Sequence, residues 1–238
     1  MIHSGADIID IGGESTRPGA DPVSAEEEIR RVIPVIERLR SETSALISID
    51  TFKAEVARQA VAAGADIIND ITGLRGDPAM VQVAADCDAG IIVMHMQGMP
   101  RTMQHAPHYD DVVAEVSAFF EERIATLVKA GVDPARIALD PGIGFGKLLT
   151  HNLALLRAIP WFCEMGHPIL IGASRKSFLG QLLDSKAMAD RHWPTVAITS
   201  YTRELGATVH RVHDISTCAQ ALRMTEAILA GYTPPPQP

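Results

Sequence analysis

Short apolar segments along this chain each lead into charged or hydrogen-bonding residues, and this pattern occurs seven times. The segments begin near residues 6, 45, 65, 90, 136, 168 and 208, and they are rich in Ile and Val. Strands that are buried on both faces, as in a parallel sheet, have this composition. Helical patterns alternate with these segments, and in a parallel β/α barrel the chemistry lies at the carboxyl ends of the strands. The sequence therefore predicts an α/β fold of the TIM-type (β/α)8 barrel class.

Several helices between the strands have clear signals. Ser24 followed by Glu27 is a capping box, which predicts a helix that runs to about Arg40. Pro34 within this helix predicts a kink or an early break. Further helices are expected over residues 53–63, 110–130 and 215–230.

Composition limits the class of protein. The chain has 238 residues, of which 47% are hydrophobic, and we expect one domain over residues 1–231 and a disordered, proline-rich tail over residues 232–238. Its formal net charge of −8 argues against non-specific binding to nucleic acid or to an acidic membrane. The three cysteines lack metal-binding spacing, and the sequence has neither a signal peptide nor a long apolar run, so we expect reduced thiols and a cytoplasmic protein.

An internal repeat bears on the number of strands. Residues 5–10 (GADIID) return as residues 64–69 (GADIIN), and the second copy joins the end of a helix to a strand. By analogy Gly5 also ends a helix, but only four residues precede it. We therefore expect the chain to begin inside a βα unit and to hold seven of the eight strands of a barrel.

Basic side chains follow the first and the last apolar segments. Arg211 and His213 are two residues apart on a predicted strand, so both project from one face. Arg17 follows the first segment, and the first and last strands of a barrel are neighbours. These three donors are suited to a phosphate or diphosphate. The alternative is that they form surface salt bridges with Glu14 and Asp214.

Polar side chains at the other strand ends suit a flat heterocycle. Asp50, Asn69 and Asp140 follow strong strand formers, and together they offer donors and acceptors for amino, imino and carbonyl groups. Lys176 is expected to bind the same ring or to pair with Asp140, with a surface lysine as the alternative. Asp70 lies on the face opposite to Asn69, so we expect it to cap a helix or to bond within a loop.

The segment of residues 140–147 (DPGIGFGK) resembles a phosphate-binding loop only loosely. It is interpreted as a tight turn that presents Asp140 and Phe145. His95 also ends a strand, but a single histidine between two methionines is a core or rim residue at least as often as a ligand. The histidines show no metal-binding spacing.

In seven segments the chain resembles the dihydropteroate synthase family, in that family's order. The segments are residues 12–19 (GGESTRPG), 48–51 (SIDT), 68–71 (INDI), 94–98 (MHMQG), 140–147 (DPGIGFGK), 174–177 (SRKS) and 211–214 (RVHD). The resemblance covers residues 5 to about 230. It implies a (β/α)8 barrel transferase of folate biosynthesis, the target of sulfonamides. This enzyme joins 6-hydroxymethyl-7,8-dihydropterin diphosphate to p-aminobenzoate and releases diphosphate, usually with Mg²⁺.

The resemblance also implies residue roles. The pterin site would consist of Asp50, Asn69, Ile71, Met94, Asp140, Lys176 and Arg211. The diphosphate site would consist of Arg17, Arg211 and His213. The p-aminobenzoate site would consist of Thr16, Arg17, Pro18, Phe145 and Ser177. The implied catalytic residues are Asp50, Lys176, Arg211 and His213. Among these, Asp50 would stabilise the positive charge that develops on the pterin when diphosphate leaves first.

One family motif has no counterpart in this chain. It is an N-terminal strand with the sequence Asn-Val-Thr-Pro-Asp-Ser-Phe-Ser, which supplies the family's metal-binding Asn, so the chain is expected to contain no metal ligand of its own. The resemblance further implies a homodimer through the later helices, with small-molecule substrates as the partners. Two alternatives remain. One is a non-catalytic pterin-binding remnant, and the other is a folate-dependent methyltransferase domain, against which the segments 174–177 and 211–214 argue.

Overall fold

The strands of this protein lie side by side in the order of the chain. The computed structural model describes residues 1–17 and 19–231, so the predictions for Pro18 and for residues 232–238 lie outside the described residues. Five strands pair in parallel: β1 (Ile8–Gly12), β2 (Leu46–Asp50), β3 (Ile67–Asp70), β4 (Gly90–Met94) and β5 (Ile137–Asp140). Two shorter strands, β6 (Leu170–Ile171) and β7 (Val209–His210), pair in parallel with each other.

The two sheets are continuous with each other. Leu139 of β5 forms a parallel bridge with Ile169, and its backbone N–H donates to the carbonyl of Pro168 at 2.9 Å. The seven strands therefore form one parallel series. Within the described residues β1 and β7 are the two ends of this series and do not pair. This is the strand order of a β/α barrel, so the predicted fold class and the prediction of seven strands are confirmed.

At least one helix follows each of the seven strands of the described chain. The helices are α1 (Ala25–Glu42), α2 (Ala54–Ala62), α3 (Met80–Ala85), α4 (Val112–Lys129), α5 (Leu149–Arg157), α6 (Ile159–Cys163), α7 (Ser177–Leu182), α8 (His192–Glu204) and α9 (Ile215–Leu229). None of the helices in the described ranges has the length and apolar character that a bilayer crossing requires.

The first helix confirms one prediction and corrects another. The Ser24 hydroxyl accepts from the backbone N–H of Glu27 at 3.2 Å, so the predicted cap is present. The kink or early break predicted at Pro34 is wrong, because α1 continues through Pro34 to Glu42. Pro34 lies on the exposed face of the helix, where water can satisfy the carbonyl that proline leaves unpaired.

The strand residues alternate between the outer core and the barrel interior. Ile47 and Ile49 of β2 are fully buried in the main hydrophobic cluster between sheet and helices. Their neighbour Ser48 lines the interior cavity, as does Asn69 next to the buried Ile68. Since successive side chains of a strand point to opposite faces, the apolar residues hold the helices while the polar ones face inward. Because of this alternation, the polar residues at the strand ends lie together inside the barrel.

Candidate active site

A cavity of about 450 Å³ lies between β1 and β7 and reaches the carboxyl ends of the strands. Four predicted site residues line it, namely Asn69, Lys176, Arg211 and His213. A larger groove of about 560 Å³ lies beside α4 and α6, and no predicted site residue lines it. The first cavity is therefore the candidate active site.

Arg211 connects the two ends of the strand series. Its Nε donates to Oδ2 of Asp10 at 2.6 Å, and its Nη2 donates to Oδ2 of Asp50 at 3.1 Å. Burial and, next to it, the Asp10 carboxylate raise the pKa of Asp50, Arg211 opposes both effects, and the resulting pKa is about 7. The charge of Asp50 near neutral pH therefore depends on where the Arg211 guanidinium lies.

Asn69 and Asp140 supply hydrogen-bonding groups to the same interior. Asn69 is 6% exposed, and its Nδ2 lies 3.5 Å from Oδ1 of Asp10. Asp140 is also 6% exposed, and its Oδ1 accepts from the backbone N–H of Gly142 at 2.7 Å. Burial raises the pKa of Asp140, while the bond from Gly142 lowers it. Both side chains thus lie in a dry setting in which an unpaired polar group is costly.

Lys176 lies against an aromatic ring at the cavity. Its Nζ is 3.8 Å from the centre of the Phe145 ring, which is a cation–π contact. Burial lowers the pKa of Lys176 to about 8, and the Asp140 carboxylate opposes this shift. Lys176 is half-buried and lines the cavity, so it is not the surface lysine of the alternative interpretation.

A small apolar cluster separate from the main core lies at this end of the barrel. Its buried members are Ile71, Met94, Met96 and Met103, and Phe52 and Phe145 pack against it. The structure therefore brings together Ile71, Met94 and Phe145, for which a contact with a planar ring was expected. Met96 and Met103 extend this surface, and sequence reasoning missed them.

His213 lies in a strongly basic environment. Its backbone N–H and its Nδ1 both contact the Ser174 hydroxyl, at 3.2 and 3.0 Å. Burial lowers the pKa of His213, and the positive charges of Arg175, Arg211, Arg17 and Lys176 lower it further. Such a group of donors is suited to an anion, which would offset the mutual repulsion of the cations.

The alternative of surface salt bridges for the basic residues does not match the contacts of the described chain. Glu14 pairs with Lys53. Asp214 caps α9 by accepting from the backbone N–H of Thr217 at 3.2 Å, and it lies 3.4 Å from Nδ1 of His192. Both carboxylates therefore bind partners other than Arg17, Arg211 and His213.

The prediction that Arg211 and His213 lie on a strand is wrong. β7 ends at His210, and both residues follow it. After the strand the backbone N–H of Arg211 still donates to the carbonyl of Ile171 at 3.0 Å, and side-chain contacts are added to this bond: Arg211 binds the two carboxylates, and His213 binds Ser174. The two side chains converge on the cavity through these contacts and not through strand periodicity.

The residues expected around p-aminobenzoate lie in two connections. Thr16 and Arg17 follow β1, where Thr16 is half-buried and Arg17 is exposed. Ser177 is exposed at the first position of α7, directly after Lys176. Arg175, one residue before Lys176, has a φ of 57°, a left-handed conformation that costs energy for a residue with a side chain. Tertiary contacts hold it there, since its backbone N–H donates to Thr195 at 3.2 Å.

Two interior residues were missed by sequence reasoning about the site. Asp10 ends the first apolar segment, as Asp50 ends the second, so the same rule points to it. Ser174 opens the segment of residues 174–177 that was already singled out as a motif. Their partners, Arg211 and His213, lie far along the chain, and the sequence carries no signal that pairs them.

Comparisons with known proteins agree on one family. The family described as "Pterin binding enzyme" matches residues 1–213. A dihydropteroate synthase of Synechocystis is 47% identical over 228 residues, which cover 96% of this chain and 79% of that protein. A dihydropteroate synthase of Escherichia coli is 47% identical over 231 residues, which cover 97% of this chain and 81% of that protein.

Solved structures agree with the sequence comparisons. The Yersinia pestis dihydropteroate synthase, in complex with a sulfonamide drug, superposes with a TM-score of 0.93 at 42% identity, over 96% of this chain and 82% of that one. The Xanthomonas albilineans dihydropteroate synthase, in complex with 7,8-dihydropteroate, superposes with a TM-score of 0.88 at 45% identity, over 96% of this chain and 84% of that one.

Proposed function

The chain belongs to the pterin-binding enzymes, and within them to the dihydropteroate synthases, and from this premise we propose how its residues divide the reaction. The function is the transfer of a dihydropterin-methyl group to p-aminobenzoate, with release of diphosphate. One observation supports these residue roles. The cavity is lined by Asn69, Lys176, Arg211 and His213, and Asp50 binds the Arg211 side chain.

The pterin ring binds in the barrel interior. Asn69, Asp140 and Lys176 offer its amino, imino and carbonyl groups hydrogen bonds at positions where water has little access. Ile71 and Met94 pack against the ring face, because they belong to the apolar cluster at the same end of the barrel. Arg211 lies over the ring on the open side of the cavity, between the two carboxylates that hold it.

Asp50 acts on the step that separates diphosphate from the pterin. The bond between the methylene carbon and the diphosphate oxygen breaks, and its electron pair leaves with the oxygen. The pterin then carries a positive charge, which the Asp50 carboxylate stabilises in the transition state. The amino nitrogen of p-aminobenzoate next donates its lone pair to the methylene carbon and loses a proton to the released diphosphate.

The leaving group binds at the basic end of the cavity. Arg211 and His213 contact the diphosphate there, Arg17 adds a third positive charge, and Ser174 orients the His213 ring through the contact at 3.0 Å. The Arg211 side chain is 50% exposed while it binds the two carboxylates, so part of it is accessible to the anion.

The p-aminobenzoate binds beside Phe145. Thr16, Arg17 and Ser177 border the site from the connections after β1 and before α7, and Pro18, which lies outside the described residues, belongs to the same connection as Arg17. The aromatic ring of the substrate packs on Phe145, whose ring also contacts the Lys176 amine. In this arrangement the amino group faces the pterin methylene.

The family resemblance implies Mg²⁺, an ion that binds to carboxylate oxygens in proteins. Among the described residues no group of three or more His, Cys, Asp or Glu side chains is arranged to hold a metal ion. The carboxylates of Asp10 and Asp50 direct their Oδ2 atoms at Arg211. The described residues therefore do not form a site for the ion, and no step is assigned to it.

The assembly and the location of the protein are further parts of the proposal. The later helices expose large apolar side chains, among them Trp193 on α8, which is 70% exposed, and Ile228 on α9, which is 72% exposed. These exposed groups support a homodimer through the later helices. A cytoplasmic location remains a prediction of the sequence, as does the assignment of residues 1–231 to one domain.

The function is tested by product formation from defined substrates. The purified chain is incubated with 6-hydroxymethyl-7,8-dihydropterin diphosphate and p-aminobenzoate, and dihydropteroate and diphosphate are quantified. Equal amounts of both products, formed only when both substrates are present, are expected. Pterin binding by calorimetry without product would instead support the non-catalytic remnant, and tight binding of methyltetrahydrofolate would support the methyltransferase.

A further inference from the structure

Lys147 is a buried cation to which the proposed reaction assigns no role. It ends the segment of residues 140–147, whose Asp140 and Phe145 belong to the proposed site, and it is only 3% exposed. Burial of an ammonium group costs several kcal/mol unless partners satisfy its donors. The partners of Lys147 therefore indicate what the group is for.

The Lys147 amine meets three acceptors. Its Nζ lies 3.0 Å from Nδ1 of His95, 3.3 Å from the carbonyl of His95 and 3.0 Å from the carbonyl of Phe145. An ammonium group has three donors and no acceptor, so these contacts satisfy it completely. Nδ1 can accept only when the ring is neutral and carries its proton on Nε2. Burial and, after it, the charge of Lys147 lower the pKa of His95 to about 2, so the ring is neutral as required.

These bonds join two elements of the barrel. His95 directly follows β4, and Phe145 lies in the connection after β5. That connection lies directly on the end of β4, since a Cβ placed on Gly142 would be 1.9 Å from the carbonyl oxygen of His95. The Tyr109 hydroxyl donates to the carbonyl of Gly146 at 2.9 Å, which holds the far end of the connection.

The same connection presents two groups of the pterin site. Asp140 opens it and accepts from the N–H of Gly142, and the Phe145 ring contacts Lys176 at 3.8 Å. Lys147 is also coupled to the site by charge: burial and the charge of Lys176 lower its pKa, Asp140 opposes them, and the resulting pKa is about 7. A displacement of the Lys147 amine would therefore move the Phe145 backbone and alter the charge balance at Asp140.

We propose that Lys147 is a positioning residue of the pterin site, whose ammonium group fastens the Phe145 carbonyl to His95 and thereby fixes Phe145 and Asp140 for the substrate. The identity of the substrate in this proposal rests on the proposed function. The bonds themselves order the connection over residues 141–147 whether or not a ligand is bound.

The test uses two substitutions of His95, of which only one keeps a hydrogen-bond acceptor for the Lys147 amine. In His95→Asn the Oδ1 atom takes the place of Nδ1 and can still accept from Lys147, whereas His95→Leu offers no acceptor. Hydrogen exchange of the amides in residues 141–147 is measured on the ligand-free protein. We expect exchange in His95→Leu to be at least ~10-fold faster than in wild type, since a bond to a charged group contributes about 1.5–3 kcal/mol. His95→Asn is expected to stay within threefold of wild type.

A second pair removes the ammonium group itself. Lys147→Met keeps the length of the side chain without its donors, and Lys129→Met, at the exposed end of α4, is the matched control. We expect Lys147→Met to accelerate exchange over residues 141–147 and to weaken the binding of 6-hydroxymethyl-7,8-dihydropterin diphosphate by about 10-fold or more. The Lys129→Met control should match wild type in both measurements.

The outcomes separate this proposal from the proposed function. Equal exchange in His95→Leu and His95→Asn, or unchanged exchange in Lys147→Met, would overturn the positioning role even if wild type binds the pterin. Should Lys147→Met fail to fold, the His95 pair decides the same question. If the exchange pattern is as expected but wild type does not bind the pterin, Lys147 orders the connection over residues 141–147, and its role in substrate binding is refuted.

Discussion

At the scale of single residues, Arg211 links the two groups of polar side chains in the site. It belongs to the basic group that suits diphosphate, yet in the ligand-free site it binds the carboxylates of Asp10 and Asp50. Asp10 is therefore important for two reasons, because it holds Arg211 and because its charge raises the pKa of Asp50. The substitution of Asp10 separates these effects from the chemistry of Asp50 itself.

Asp10→Asn is expected to shift the pH dependence of the reaction. Asp50 must be ionised to stabilise the pterin cation, and its pKa is raised to about 7, so kcat/KM should rise as the pH passes through that value. Without the Asp10 charge the pKa of Asp50 falls, and the rising limb should move to lower pH by about one unit. The profile of kcat/KM against pH measures this shift. Asp88→Asn, at an exposed position, is the control, and a limb that stays in place or moves to higher pH in Asp10→Asn would refute the account.

The sequence predicted most of these residues because a strand has a period of two. Asp50, Asn69 and Asp140 directly follow buried Ile, Ile and Leu, so their side chains had to point inward. The contact between Asp10 and Arg211 could not be predicted in the same way, because 201 positions of the chain separate the two residues. The two residues meet because the strand series curves until β1 and β7 border the same cavity.

At the scale of elements, the connection after β5 depends on close backbone contact. Gly142 has a φ of 66°, and a Cβ there would lie 1.9 Å from the His95 carbonyl oxygen. Gly166 has a comparable φ of 80°, but nothing lies within 4 Å of the corresponding position. The two glycines thus carry the same backbone strain on substitution, and only one carries a steric clash.

Gly142→Ala is expected to displace the connection, whereas Gly166→Ala is expected to add only strain. For Gly166→Ala the free energy of unfolding should fall by about 1 kcal/mol, with pterin binding unchanged. For Gly142→Ala it should fall further, and pterin binding should weaken by more than tenfold, because Asp140 and Phe145 move with the backbone. Urea unfolding and calorimetry measure the two quantities. Equal behaviour of the two variants would show that the contact with His95 is unimportant.

Element boundaries were predictable to within a few residues where a local signal exists. The cap at Ser24 fixes the start of α1, and Pro34 misled because its exposure on the helix surface is a tertiary property. The shortness of β7 had no local signal either. Its sequence continues with apolar Val212, but the Arg211 and His213 side chains bind partners on other elements, and the strand ends at His210.

At the scale of the whole molecule, the barrel architecture followed from the alternation of strands and helices. The parallel order of the seven strands matches that expectation, because each strand is joined to the next by at least one helix. The assembly of copies had no such basis in the sequence, since surface side chains carry no periodic signal for a partner. The exposed apolar residues of the later helices became evident only in the structure.

Homodimer formation is expected to depend on these residues. Light scattering should give a mass of twice the 25.6 kDa of one chain. Trp193→Asp and Ile228→Asp should each shift the equilibrium toward the monomer, since a charge at an apolar contact is costly. Trp161→Asp, which places the same charge at another exposed tryptophan on α6, should leave the dimer intact. A monomeric wild type, or a dimer that only Trp161→Asp disrupts, would contradict this assignment.

The role of Asp50 in the transfer is the central claim, and the separation of kcat from binding in Asp50→Asn tests it most directly. Asparagine keeps an acceptor for the pterin but removes the negative charge. We therefore expect kcat for dihydropteroate formation to fall by about 10²–10³-fold, while the Kd for the pterin diphosphate changes by less than about tenfold. Asp88→Asn should match wild type. A loss confined to binding with kcat unchanged, or a wild-type chain that forms no dihydropteroate, would contradict the account.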